Sequence, residues 1–525
     1  MESTSTHHRS ETEATVFDRN TNGLDPLPAS PQGSTFLDVG NLSVIPPEHP
    51  FRTLVVCFDG TGDQFDNDNS NIVRFFSMLS KGDRTRQMVY YQAGIGTYTT
   101  PAIATPLMSR FSKFVDEAVA WNLDAHVMGG YEFLMQNYTS NDRICIFGFS
   151  RGAYTAQSLA GMLHKVGLLP ADNHQQIPFA YKMYTDTSDL GWEQSNGFKK
   201  AFSIDIDIEF VGVWDTVNSV GLVPKRLPFT ASNTIVRTFR HALSLDERRA
   251  KFKPNLWNRP DDREKTLSIT DQKMARESCK DHSHVSHAHK QRHVERRYSR
   301  DRAEPTDIEE VWFSGCHCDV GGGSVDNETV QNLARIPLRW MVRECFKMKS
   351  GIMFDCEGLR SIGLDPACLY PEVKPRPPAL SVGNLRIRNI PTPEEEAKAK
   401  NEAALRSFPD HQELGNGVSF VVAPMSEEEL DLHDSLSPIY DQLSLAWFWW
   451  ILEILPIRQR YQKGDNSWVS YLGINWGRGR FIPKQKKNGV KVHRSVKARL
   501  EAQTEDGGKY TPKAAFDLER TTWVD

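Results

Sequence analysis

The segment Arg143–Gly167, RICIFGFSRGAYTAQSLAGMLHKVG, constrains this chain more than any other. A β-rich apolar run ends at Gly148. A helical pattern follows Gly152, with Leu159, Met162, Leu163 and Val166 at i, i+3, i+4 and i+7 and Gly167 as its stop. Between them Gly148-Phe149-Ser150-Arg151-Gly152 matches G-x-S-x-G. The pattern is short and needs context, and strand, turn and helix supply it: a nucleophile elbow is a sharp strand-to-helix turn with serine at its tip. Gly148 and Gly152 are the small flanks such a turn demands. The helix N-terminus beyond Ser150 would lie near the reacting centre, where negative charge develops. The competing reading is a Gly/Ser loop that only caps a helix.

Further buried-strand patterns are Arg52–Asp59, Gln87–Gln92, Ile208–Trp214 and Glu310–Ser314. Helical patterns lie at Asn71–Ser80 and over most of Phe114–Tyr138. Strands alternating with helices predict an α/β fold, mainly a parallel sheet with helices on both faces. The 525 residues would allow about three or four domains. The pattern instead predicts one elaborated domain over 49–500, with insertions at about 258–307 and 371–415. Residues 1–48 read as a disordered tail and 501–525 as a polar, loose one. The 63 Lys+Arg against 67 Asp+Glu exclude a globally basic nucleic-acid binder, and no nucleic-acid partner is expected. Eight cysteines in a chain this long make no disulfide scaffold. No signal peptide is read at the N-terminus. The apolar run Leu443–Ile457 contains Glu453 and Pro456 and falls short of the roughly 20 residues a spanning helix needs. A cytoplasmic or peripheral membrane location is expected.

A serine nucleophile needs a base and an acid that orients it. Asp215 follows the strand Ile208–Trp214, at the carboxyl edge where open α/β sheets bind ligands. It could also be a turn or N-cap aspartate. Asp205 and Asp207 fall at the other end of that strand. The candidate bases are His241, His317 and His493. His317, in SGCHCDVGGG after the strand Glu310–Ser314, has the same edge position as Asp215 and is favoured. His241 sits in a helix-like stretch, HALSLDERR, where a packing or salt-bridged histidine is the commoner role. The order Ser–Asp–His matches α/β-hydrolases. Cys316-His317-Cys318 could suggest a metal, but a second Cys/His pair at zinc-like spacing is missing, so no metal or other cofactor is expected. Oxyanion donors should be the N–H of Arg151 and one from Gly60-Thr61. Asp59-Gly60-Thr61 also resembles the D-x-D-G-T loop of haloacid-dehalogenase phosphatases, but Cys57 occupies that nucleophile's position. Asp59 is then expected to fix the loop.

The blocks FDGTGDQFDNDNSNI, YYQAGIGT, RICIFGFSRGAYTAQSLAGML, VGVWDTV, HALSLDERR and VWFSGCHCDVGGG together resemble one family. It is the catalytic domain of the type VI secretion phospholipase effectors of the first lipase class, an α/β-hydrolase domain also found in fungal proteins. The resemblance runs from about residue 50 to 350. It implies a lipase with a phospholipid-class ester substrate, Ser150 as nucleophile, Asp215 as acid and His317 as base. Cys318 and Ser324 depart from the usual pattern, and the insertion after HALSLDERR is not part of it. A non-catalytic membrane- or partner-binding module on the same fold is the alternative.

Two segments stand apart. Trp447, Trp449 and Trp450 cluster ahead of Arg458, Arg460 and Lys463. This composition suits either a core helix or contact with a bilayer interface. The His/Arg-rich stretch 280–300 has no zinc-like spacing and reads as a solvated insertion, with anion binding as the competing idea.

Overall fold

Strand β2 (Thr53–Phe58) is buried at every residue. Its side chains alternate between two cores, Leu54, Val56 and Phe58 on one face and Val55 and Cys57 on the other. A strand covered on both faces needs an unbroken apolar run, and TLVVCF is one. Strand β4 (Arg143–Phe149) divides in the same way, Ile144 and Ile146 against Cys145, Phe147 and Phe149.

The computed structural model describes residues 42–61, 63–94, 123–217, 227–257, 295, 305–392, 394–395, 425–462, 468–483 and 485–525. The remaining strands are β1 (Val44–Ile45), β3 (Gln87–Gln92), β5 (Ile208–Trp214), β6 (Val236–Ser244), β7 (Asp307–Phe313), β8 (Phe354–Asp355), β9 (Arg386–Ile387), β10 (Ile457–Gln462), β11 (Trp468–Gly473), β12 (Val490–His493), β13 (Gln503–Thr504) and β14 (Thr521–Val524). Among the described residues the central sheet has eight strands in the order β14-β12-β7-β6-β5-β4-β2-β3. Every pairing in it is parallel. The chain enters at β2, steps outward to β3, then returns to β4 on the other side of β2. That reversal is the switch point, and it opens a crevice at the carboxyl ends of β2 and β4.

Helices cover both faces. On one lie α2 (Leu123–Asn137), α3 (Ser150–Val166), α4 (Ile177–Thr185) and α5 (Asp189–Phe202). On the other lie α1 (Asn71–Ser77) and α7 (Arg335–Lys347). The short α6 (His317–Gly321) follows β7. Helices α8 (Glu427–Ser435), α9 (Trp450–Ile454) and α10 (Ser495–Glu501) belong to the C-terminal part. Helix α3 is buried along its whole length. Ala153, Ala156 and Ala160 bring it close to the sheet, while Leu159, Leu163 and Val166 fill the core.

The architecture is the parallel α/β sandwich expected from the sequence, with several corrections. His241 lies on strand β6, not in a helix. The polar residues of β6 hid it: Arg240 is buried, yet its Nε sits 2.6 Å from Glu344 and its Nη2 2.8 Å from Asp307. A strand can bury charge when each charge is paired. Residues 501–525 are not a loose tail. Strand β14 pairs with β12, so the sheet runs past the expected boundary at 500. Residues 42–48, assigned to the N-terminal tail, contain β1, which pairs with β8. Within 371–415, β9 pairs with β13. Helix α1 ends at Ser77, three residues short of Ser80. Residues 1–41 of the tail, 114–122 of the expected helix, all of 258–304 except Glu295, and 396–415 lie outside the described residues.

Candidate active site

The site forms where β2, β4, β5 and β7 end together. Strand β4 delivers Ser150 as the first residue of α3, with φ of +57°. A serine in this left-handed region is strained and needs its surroundings to hold it. The flanking glycines explain how the turn fits. A Cβ at Gly148 would sit 2.5 Å from the Gly152 carbonyl oxygen, and one at Gly152 would strike the Phe58 and Asp59 carbonyls at the end of β2. Only glycine lets the helix start this close to the neighbouring strand.

Asp215 follows β5, also at positive φ (+40°), and is fully buried. His317 opens α6 after β7 and is 3% exposed. Its Nε2 lies 2.7 Å from Ser150 Oγ and its Nδ1 2.6 Å from Asp215 Oδ2. Ser150, His317 and Asp215, separated by 167 and 102 residues along the chain, thus form one hydrogen-bonded row. The His317 ring is held between Phe149, 4.8 Å away, and the edge of Phe252, 4.9 Å away. Burial among these rings lowers the imidazole's pKa, against the upward pull of Asp215. The lowered value favours the neutral ring, the form in which an imidazole can accept a proton. Burial also opposes ionisation of Asp215, but the Arg480 guanidinium and His317 hold its carboxyl well below the usual carboxylate range.

The other candidate histidines face elsewhere. His241 Nε2 accepts the Thr216 N–H at 3.1 Å, and its Nδ1 lies 3.3 Å from Glu310. His493 Nδ1 lies 2.9 Å from Ser495 Oγ, with the ring stacked on Phe313 at 5.0 Å. Among the described residues no group of three or more His, Cys, Asp or Glu could hold a metal. Burial pushes the Cys316 thiol up, and its Sγ faces the Asp246 carbonyl.

The loop after β2 is fixed by Asp59. Its Oδ1 accepts the Gly60 N–H at 2.8 Å and the Ser70 hydroxyl at 2.5 Å, and its Oδ2 accepts the Tyr91 hydroxyl at 2.7 Å. The Gly60 N–H, expected as an oxyanion donor, is therefore turned to Asp59. Thr61 Oγ1 accepts the Arg151 Nε–H, which ties the loop to the elbow. The Arg151 amide belongs to the first turn of α3, at the positive end of the helix dipole.

Four further residues shape the site. Arg480 grips Asp215. Glu247 pairs with Arg249, and its Oε2 accepts the His317 N–H at 3.3 Å. The Arg249 guanidinium covers the Phe252 ring at 3.5 Å and Trp449 at 4.6 Å. Trp449 meets Phe252 edge-on at 5.6 Å. The tryptophans divide accordingly: Trp449 is buried, Trp450 half-buried with its Nε1 on the Leu443 carbonyl, and Trp447 is 78% exposed. Glu247 and Arg249 lay inside the HALSLDERR block, but Arg480 had only its place in the glycine-rich GRGRF to mark it.

Residues 52–344 match the family described as T6SS, phospholipase effector Tle1-like, catalytic domain. The chain belongs to this family. Ser150, Asp215 and His317 fall within the matched residues, and Arg480 lies beyond them. A relative in Saccharomyces cerevisiae, uncharacterized protein YEL023C, is 28% identical over 564 residues, which cover 88% of this chain and 81% of that protein. A crystal structure of an uncharacterized protein from Pseudomonas aeruginosa matches at 16% identity and a TM-score of 0.31, over 60% of this chain and 49% of its own. The Tle1 effector solved bound to the VgrG spike of the type 6 secretion system matches at 14% identity and a TM-score of 0.25, over 54% and 56%. The chain thus spans about half the length of these solved structures.

Proposed function

We propose that this protein is a serine hydrolase cleaving carboxylic esters of the phospholipid class. The observation that carries the reading is the row Ser150–His317–Asp215, set at the switch point of a parallel sheet with the serine on a strained elbow. Membership of a phospholipase effector family supports it. His317 Nε2 takes the proton of Ser150 Oγ as that oxygen attacks the ester carbonyl carbon. Asp215 holds the ring by Nδ1–H and stabilises the imidazolium that forms. The N–H of Arg151 and a donor at Thr61 hold the oxyanion. The tetrahedral intermediate expels the alcohol, which takes its proton from His317. Water then attacks the acyl-enzyme with His317 again as base, releasing the fatty acid and restoring Ser150. The steps draw on no metal or organic cofactor.

A bilayer contact fits the same reading. Trp447, Leu472, Trp476 and Phe481 are each more than half exposed. They lie in the segment that also supplies Trp449, packed against Phe252 beside His317. No helix among the described residues is long and apolar enough to cross a membrane.

A fluorophosphonate probe tests the chemistry. Folded wild-type protein should label and Ser150→Ala should not. A folded wild type that stays unlabelled, or a Ser150→Ala protein that labels equally, leaves the non-catalytic binding module as the better reading. Hydrolysis of a phospholipid panel, with Ser150→Ala as control, then names the headgroup and the bond cut.

A further inference from the structure

We infer that Arg480 is a positioning residue of this site, fixing the Asp215 carboxylate and through it the His317 ring. The inference rests on the hydrolase reading above and concerns what holds the acid in place.

The contact is a two-point fork. Arg480 Nη1 donates to Asp215 Oδ1 at 2.5 Å and Nη2 to Asp215 Oδ2 at 2.8 Å, and neither side chain has any exposure. The rest of the guanidinium is equally engaged. Nη1 also donates to the Ser244 carbonyl at 3.1 Å, Nη2 to the Phe252 carbonyl at 2.7 Å, and Nε to the same Phe252 oxygen at 3.1 Å. All five N–H donors of an arginine are thus used. The two carbonyls are not incidental. Ser244 ends β6 and donates its own N–H to Asp215 Oδ1 at 2.9 Å. Phe252 is the residue whose ring edge contacts His317. One side chain therefore sets the distance between the acid, the end of a sheet strand and the wall of the base.

Such a clamp answers a local difficulty. Asp215 is wholly buried, and burial favours the neutral acid. A neutral acid could not hold the imidazole in the required tautomer. The planar fork of arginine fixes both oxygens at once, which the point charge of lysine cannot do. Arg480 is itself held by its segment. The Asn475 and Trp476 N–H groups donate to the Glu453 carbonyl on α9, and Glu453 Oε2 accepts the Asn475 side chain at 2.6 Å and the Gly477 N–H at 2.8 Å. Glu453 Oε1 accepts the Ala250 N–H at 2.6 Å, so α9 joins the 475–480 segment to the one that carries Phe252.

The charge has a directional consequence. Removing the cation leaves the imidazolium as the partner that can still keep the buried Asp215 carboxylate ionised, so the protonated ring gains relative to the neutral one. His317 should then take up its proton at higher pH. The acid limb of activity should move the same way, because the base must be neutral. The other charged groups that act on the ring, Glu247 and Arg249 after β6, stay in place. So do Asp63, Asp319 and Glu453, which act on the neighbouring Cys318 and Lys253.

The test uses the full chain as wild type, R480Q and R480K. The pH dependence of fluorophosphonate labelling is measured for each, and the His317 ring titration is followed by NMR with labelled histidine. R480Q should label about 100-fold more slowly, the loss expected when a catalytic group is misplaced. Its acid limb and its His317 titration should both shift to higher pH. R480K restores the charge, so its limb should return towards wild type while the rate stays below it. A folded R480Q or R480K with wild-type rate and an unmoved limb overturns the inference, as does an R480Q of lower rate with neither limb nor titration displaced. If R480Q does not fold, R480K decides by its rate at an unchanged limb. Absence of labelling in wild type removes the hydrolase reading instead. The His317 titration then judges the Arg480 grip alone, moving if it exists and staying if it does not.

Discussion

Asp215 and Asp431 are both buried aspartates gripped by arginine, and both are held well below the usual carboxylate range against the opposing effect of burial. Each has a buried histidine within electrostatic reach, His317 for Asp215 and His493 for Asp431. Around Asp431, Arg339 donates from Nε at 3.0 Å and from Nη2 at 2.6 Å, Arg376 pairs at 2.8 Å, and Arg339 also reaches Asp434 at 2.7 Å. Arg339 is on α7, and Asp431 and Asp434 are on α8. This cluster ties two helices together. The Asp215 cluster shares the aspartate, arginine and histidine but differs in geometry. Its histidine bridges with both nitrogens, to Asp215 and to Ser150, and two of its three residues stand at positive φ. His493 closes a local turn, accepting the Ser495 N–H at 3.3 Å. A displaced pKa marks both clusters, so it cannot separate a site from a brace. Backbone strain and a base aimed at a nucleophile can.

The largest effects should come from breaking one row and leaving the other. His317→Ala should slow ester hydrolysis by on the order of 10⁴- to 10⁶-fold, as loss of a triad base does elsewhere. His241→Ala and His493→Ala, where folded, should stay within a few-fold of wild type. Single-turnover labelling checks this, with near-UV circular dichroism as the control for folding. An inert His493→Ala beside an active His317→Ala would exchange the roles assigned to the two clusters.

Arg339→Met should show the reverse. It leaves Asp431 and Asp434 buried with one cation fewer, and breaking a buried pair costs about 3–5 kcal/mol. Denaturant unfolding should register this loss. The labelling rate of the folded fraction should remain close to wild type. A rate that falls together with stability would mean that α7 and α8 also hold the site.

Much of this contrast was legible in the sequence, and the remainder had physical reasons for being hidden. Strands β2, β4 and β5 are buried on both faces, so they advertise themselves as apolar runs. Ser150 and Asp215 each follow such a run directly, and His317 comes four residues after the apolar end of β7, which is why residues far apart in sequence could be named together. Strand β6 was hidden because Arg240 and His241 are interior residues paired with carboxylates on other elements. Strands β12 and β14 are four residues each and are defined by pairing with partners, not by their own pattern. Arg480 approaches Asp215 from 265 residues away. Nothing local distinguishes it from Arg478, which shares the same glycine-rich run. Gly60 was chosen for an open N–H, but the side chain of its neighbour Asp59 accepts that proton.

The smallest expected effect concerns protons, and it separates the two histidines by what they report. Burial pushes the His493 pKa down to about 3, with Asp431 pulling it up and Arg376 and Arg494 adding to the downward shift. In the unfolded chain its pKa is about 6.5. Between these values the unfolded state carries a proton that the folded state does not, so stability falls as pH drops from about 6.5 towards 3. The depressed carboxylates Asp215 and Asp431 contribute stability that is present above their unfolded value, about 3.9, and is lost as pH falls through their folded values. Their effect therefore begins lower on the pH scale. His493→Gln keeps a polar side chain facing Ser495 and removes the titration. Its unfolding free energy should decline less than that of wild type between pH 6.5 and 4, while its labelling profile stays in place. His317 is also displaced downward by burial, but as the proposed base its protonation should appear in the rate. Parallel pH series of unfolding and labelling on wild type and His493→Gln measure both. A stability curve unchanged by the substitution would show that His493 already takes up its proton near the ordinary histidine range. The two clusters would then differ in charge as well as in geometry.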